Sequence, residues 1–237
     1  MVAENTFNKW IVYVIGEIVL VMVGILLALQ VNNWNEDRIE RKHEQILLNG
    51  LKSEMTDNLQ QLEEVIVYNR RSHIAAGKLL EIYNSGHRQY RPEYLDSLFA
   101  QVQWAWTFNP RLGIVNSIKT TGKIGSIRNP TIQDFITSFE ERANDTAEES
   151  LITRSLIVDK YVLAVSRYIS LNARARYLGF KVNRSRFPSN HAAIFQDREI
   201  ESLISYIFIW RENEIDELSN LQVMLSKHIS IVSNDLQ

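Results

Sequence analysis

The longest apolar run lies near the start of the chain. Trp10 to Val31 reads WIVYVIGEIVLVMVGILLALQV, with Glu17 its one ionisable residue and Gln30 its other strongly polar one. As a helix rising 1.5 Å per residue it would extend roughly 33 Å, enough to cross a hydrocarbon core of about 30 Å. The pattern then changes to steps of three and four residues. Leu48, Leu51, Met55, Leu59, Leu62, Ile66, Asn69, His73, Ala76, Leu80 and Tyr83 trace one buried seam of an amphipathic helix, imperfect at Asn69 and His73. No proline interrupts Asn35 to Asn84, so this helix is expected to continue from the apolar run through Asn33 to Asp37.

Asn84-Ser85-Gly86 ends it: Gly86 suits a left-handed cap, and Pro92 suits the first turn of a short helix reaching about Gln103. Pro110, Gly113, Gly122, Gly125 and Pro130 break up the next stretch. Asn129 and Pro130 then read as the cap and first position of a third long helix. Its apolar positions run from Ile132 through Phe139 to Tyr168, thin in the middle, and stop near Gly179. After a loop with Pro188, a last helix begins near Gln196, with Ile200, Ile204, Ile207, Arg211, Ile215, Leu218, Leu221, Leu225, His228 and Val232 on its seam. No alternating pattern is long enough for a sheet. The expected fold is all-α: one N-terminal transmembrane helix continuing into an elongated antiparallel helical bundle. Its divisions are a short flank (1–9), the transmembrane helix (10–31) and a soluble bundle domain (32–237).

Several details sharpen the membrane reading. Trp10 and Tyr13 at one end and Trp34 at the other are expected interfacial anchors. Asn32, Asn33 and Asn35 mark the return to water. A cleaved signal peptide would be shorter and would end in a small-x-small site, which Ala28-Leu29-Gln30 does not supply. Gly24 and Ala28 form a small-xxx-small pair that lets helices approach closely in lipid. Glu17, on nearly the same face as Gly24, has two readings. It orients a homodimer as a protonated carboxyl, or it serves as an ion or proton site or a contact to another membrane protein.

Composition narrows the chemistry. Hydrophobic residues make up 45% and charged residues 23%, an ordinary globular balance, and the net charge of -2 gives no case for nucleic acid. Cysteine is absent, which removes disulfides, thiolate metal sites and cysteine nucleophiles.

The run Ile15 to Arg38, IGEIVLVMVGILLALQVNNWNEDR, resembles the signature of an uncharacterised family of bacterial single-pass membrane proteins, close to IGEI-x-LV-x-x-GIL-x-ALQ-x-NNWNE. The resemblance extends more weakly to Phe108-Asn109-Pro110 and to Gly122 through Pro130. It implies architecture and a bacterial inner (cytoplasmic) membrane location, but no activity. Glu17, Gly24, Gln30, Asn32, Asn33 and Trp34 coincide with pattern positions. Similar proteins often carry a basic stretch before the membrane helix; here only Lys9 precedes it. Ala3-Glu4-Asn5 reads as the join to such a stretch, with Met1 an internal start, unless this member lacks it. Sidedness depends on that point. Arg38, Arg41 and Lys42 after the helix outnumber Lys9 and favour a cytoplasmic bundle. The implied basic extension tips the expectation to the periplasm.

The clearest charge asymmetry is Lys160 to Gln196, which holds Lys160, Arg167, Arg174, Arg176, Lys181, Arg184 and Arg186 and no Asp or Glu. If the first long helix leads away from the membrane and the third returns, Arg174, Arg176, Lys181, Arg184 and Arg186 meet anionic headgroups near the bilayer. The alternative is a solvated loop pairing with acidic helices. The interleaved aromatics lack a nucleic-acid reading motif. Thr120-Thr121-Gly122-Lys123 lacks the earlier glycine and the strand of a phosphate loop. The five histidines are scattered, with no zinc motif. Trp104, Trp106 and Phe108 are expected to cap the distal core. No cofactor, metal or catalytic constellation is expected, and the chain is not expected to be an enzyme. The expected function is a membrane-anchored, self-associating helical scaffold whose partners are the lipid bilayer, further copies of itself and other membrane proteins. The alternative is an accessory subunit of a transport or proton-driven complex using Glu17.

Overall fold

A computed structural model describes the main chain of residues 3–86, 89–183 and 185–236, and the side chains within these from Ile15 onward. The side chains of Trp10 and Tyr13 and all of Arg184 lie outside the described residues. Among those residues the chain is helical, without strands.

Helix α1 runs unbroken over Ala3–Ser85, so the apolar run and the first amphipathic seam are one helix. It ends at Gly86, whose φ of 96° is the left-handed conformation glycine adopts without steric cost, and whose amide donates to the Ile82 carbonyl at 2.8 Å. Helix α2 follows, Pro92–Val102. The chain then descends alongside α1 from Gln103 to Leu112 without regular structure. It turns through α3 (Gly113–Thr120) and one 3₁₀ turn, Lys123–Ser126, reached through the left-handed Gly122. Helix α4, Pro130–Ser155, starts as expected at Pro130, with the Asn129 side chain accepting from the Thr131 amide. A single π-helical segment, Leu156–Tyr161, leads into α5 (Val162–Ser166). Then come α6 (Leu171–Tyr177), the one-turn α7 (His191–Ile194) and the long α8 (Arg198–Asp235).

Contacts between helices set their directions. Tyr83 of α1 meets Ile194 at the end of α7, and along α1 and α8 His73 meets Phe208, Asn69 meets Glu214 and Arg41 meets Asp235, so α8 is antiparallel to α1. The start of α4 lies by Glu44, because the Arg128 amide donates to that carboxylate, and its far end reaches Glu214 through Ser150. Thus α4 runs parallel to α1. This corrects the expectation that the third long helix returns toward the apolar end: the return is made earlier, by Gln103 to Leu112. That helix is also shorter than expected, since the π segment and the breaks at Ser166 and Tyr177 divide the stretch before Gly179.

Two apolar cores result. The proximal one joins Leu48, Leu51, Met55 and Leu62 of α1 to Phe135 and Phe139 of α4 and Leu218 and Leu225 of α8. The distal one joins Leu79, Phe99, Tyr161, Ile200, Ile204 and Ile207. Each fully buried side chain of this size contributes about 1.5–3 kcal/mol. Gly77 lets α8 approach α1, since a Cβ there would lie 3.2 Å from the Phe208 ring. The aromatic cluster does not cap the distal end. Trp106 stacks on Tyr68 with centroids 4.4 Å apart, Trp104 meets the same ring edge-on, and Phe108 belongs to the proximal core. The descending segment carries all three rings down α1.

Candidate functional site

The descending segment has no helix or sheet to satisfy its backbone, and α1 supplies the partners. Ser72 donates to the Val102 carbonyl at 3.0 Å and Asn69 to that of Trp106 at 3.3 Å. Gln61 accepts from the Asn109 amide. Asn58 both donates to the Arg111 carbonyl at 2.8 Å and accepts from its amide at 2.7 Å. Glu54 then accepts from the amides of Ile114 and Val115 at 2.7 and 3.1 Å, placing an anion on the N-terminus of α3. Buried backbone groups must be paired; these polar residues make the non-helical return possible.

Between the two cores lies a buried polar layer. Arg211 and Glu214, one turn apart on α8, form an ion pair at 2.5 Å with side chains 1% and 0% exposed. Glu214 also accepts from Asn69 of α1 at 2.9 Å and from Ser150 of α4 at 2.7 Å. Arg211 donates to the Trp104 carbonyl at 2.8 Å. One carboxylate therefore ties together all three long helices, and its guanidinium partner holds the descending segment. Burial pulls the Arg211 pKa down, while Glu214 opposes that shift. The Ser150 hydroxyl donates to a carboxylate already held by Arg211 and Asn69, and the layer fixes the register of the helices.

The distal end holds a second polar group. Asp96 of α2 lies 2.8 Å from His191 Nε2 and accepts from the Ser189 hydroxyl at 3.1 Å. The carboxylate sits between serine and imidazole, whereas nucleophile activation needs the imidazole between the other two. Among the described residues, no three histidine, aspartate or glutamate side chains converge to hold a metal. Thr121 donates back to the Ser117 carbonyl, consistent with a helix end rather than a phosphate cradle.

The structure divides the five basic candidates. Arg176, Lys181 and Arg186 are exposed. Arg174 is buried and is corrected out of the surface set: it donates to Gln103 at 3.2 Å and to the Val162 carbonyl at 3.3 Å, pinning α6 to the base of α2. Burial lowers its pKa, opposed by nearby Tyr161. This basic segment packs near α2, level with Ser72 to Ile82 of α1, at the end away from the apolar run. It therefore does not return to the bilayer expected around Trp10 to Val31.

In the apolar part of α1, Glu17, Gly24 and Ala28 are exposed, and a Cβ on Gly24 would meet nothing within 4 Å. Trp34 is exposed, with the Arg38 guanidinium 5.8 Å from its ring centroid. Sequence reasoning placed Ser150 on the seam of the third helix but missed Glu214 and the roles of Ser150, Glu54 and Asn58. The available signal was polar residues within apolar seams: Asn69 on α1 and Arg211 on α8, which prove to lie at one level.

These features define an all-helical protein headed by one helix long and apolar enough to cross a membrane. The chain belongs to the DUF6090 family, a family of unknown function, whose model matches residues 17–209. No curated protein and no solved structure matches it.

Proposed function

We propose that the chain is a membrane-anchored helical interaction module that self-associates and presents its bundle to partner proteins. The observation carrying this reading is the uncovered apolar part of α1, with a mean hydropathy of 2.1 and none of its apolar window buried, in the same helix that forms the bundle's spine. Thirteen large apolar side chains from Ile15 to Trp34 stand between 48% and 74% exposed. Embedding them in lipid is worth on the order of 20 kcal/mol, more than the roughly 5–15 kcal/mol that holds a typical domain folded. Gly24, with open space around it, supports close packing against a second helix. The resemblance adds a bacterial inner membrane and a periplasmic bundle, and no catalytic role is part of the proposal. Alkaline carbonate extraction of cells expressing the full chain tests anchoring: retention in the membrane pellet is expected, and release into the supernatant would overturn the reading.

A second reading has its own observation. Glu17 is the one ionisable residue from Ile15 to Val31 and has no partner among the described residues. A carboxylate at that depth is costly without a partner or proton, which favours an accessory subunit of a transport or proton-driven complex. Glu17→Gln separates the two, since scaffolding survives the change and proton coupling does not.

A further inference from the structure

At the distal end, Gly179, with φ of 87°, turns the chain out of α6 into an irregular loop. Arg176, Lys181 and Arg186 are exposed there, and no carboxylate pairs with them among the described residues. Three aromatic rings stand among these cations: Tyr177 is 48% exposed, Phe180 64% and Phe187 65%, with the Arg186 guanidinium 4.8 Å from the Phe187 ring centroid. Exposed apolar residues grouped together and rimmed by polar ones mark protein or membrane contact sites. The loop lies in a stretch of seven Lys and Arg, from Lys160 to Gln196, that contains no Asp or Glu.

We propose that this tip, through Arg176, Tyr177, Phe180, Lys181, Arg186 and Phe187, binds the headgroup layer of a second, anionic lipid surface facing the bilayer that holds α1. Cations interleaved with exposed aromatic rings match the two layers of such a surface. The cations meet lipid phosphates, and the rings enter the boundary between headgroups and acyl chains. Rings that protrude would each need a matching recess on a folded acidic partner. A fluid headgroup layer accommodates them without one.

The fold excludes the anchoring bilayer as the target. Helix α6 is fastened to α2 through Gln101 and Tyr177 at 3.0 Å and through Arg174 and Gln103. Helix α2 in turn meets α1 at Ser72 through its last carbonyl. Ser72 lies 38 residues beyond Trp34, or roughly 57 Å along a continuous helix. The molecule would then be a strut between two lipid surfaces, and that bridging role rests on the anchoring proposed above.

The test uses the full chain in nanodiscs of phosphatidylcholine, mixed at low salt with vesicles of phosphatidylcholine alone or doped with phosphatidylglycerol, and scored by co-flotation. Capture by the doped vesicles alone is expected. Lys181→Gln with Arg186→Gln should weaken it about 25-fold, at roughly fivefold for each cation. Phe180→Ser with Phe187→Ser should also weaken it, with unchanged circular-dichroism melts for both pairs. No capture by the parent chain, or capture undiminished by either pair, would overturn the proposal. Loss with the charge pair but not the ring pair would overturn it, since the tip would then sense surface charge alone and the rings would not enter the headgroup layer. Failure to enter nanodiscs would instead sink the anchoring reading; flotation of the free chain and its variants would still decide the tip.

Discussion

Replacing Glu214 with leucine should be among the most damaging single changes in the bundle. The substitution removes the acceptor of Asn69 and Ser150 and leaves the Arg211 guanidinium charged and 1% exposed between two apolar cores. Breaking a buried pair by removing one partner costs about 3–5 kcal/mol. For a chain of this size, each kcal/mol moves Tm by about 2–4 °C, so a fall of roughly 10 °C is expected. Arg211→Met with Glu214→Leu removes both charges together. It leaves the Trp104 carbonyl unpaired at about 1–3 kcal/mol, yet should recover much of the single variant's loss, because no charge is stranded. Thermal unfolding of the full chain in detergent, followed by circular dichroism, measures both. A Glu214→Leu loss below about 1 kcal/mol would refute the reasoning. So would a double variant as damaged as the sum of its parts, since the two charges would then act independently.

The remaining predictions address other levels of the fold. Glu54→Leu strips the acceptor from the Ile114 and Val115 amides and should cost about 2–4 kcal/mol, with faster amide exchange confined at first to α3. The Tyr168 hydroxyl, bonded to Asp197 at 2.6 Å, holds that carboxyl below its ordinary value. The folded-state pKa is the lower one, so the stabilisation is complete above about pH 4 and is lost as pH falls through the depressed value. Asp197→Asn should therefore flatten the acid limb of a urea-midpoint series; an unchanged limb would contradict the assignment. Gly24→Leu with Ala28→Leu should abolish in-cell crosslinked oligomers while leaving membrane retention intact. Persistence of those oligomers would move self-association to another surface.

The sequence was most informative where one helix answers to one periodicity. The seam from Leu48 to Tyr83, the stop at Gly86, the start of α2 at Pro92 and the Asn129-Pro130 opening of α4 all follow from local rules. What local rules could not show was direction. The extended return from Gln103 to Leu112 has no periodicity of its own, because side chains some 30 to 60 positions earlier satisfy its backbone. Without that return, α4 was expected to run the wrong way, and the basic loop was expected at the wrong end. Asn69 and Arg211 were visible as blemishes in apolar seams. Their meaning needed the level at which α8 meets α1, and Arg174 looked like a surface cation until α2 was placed beside it.

The unbroken course of α1 makes it a drive shaft as well as a spacer. At about 100° per residue, the twenty positions from Ala28 to Leu48 set those side chains roughly 200° apart around the axis. The Gly24–Ala28 face and the bundle seam therefore point nearly opposite ways. Two chains joined along Gly24 and Ala28 would stand back to back, cores outward, with exposed Ile39 and Ile46 between them. One residue inserted between Val31 and Trp34 would swing the bundle by about 100° relative to that face while leaving every contact from Asp37 onward in place.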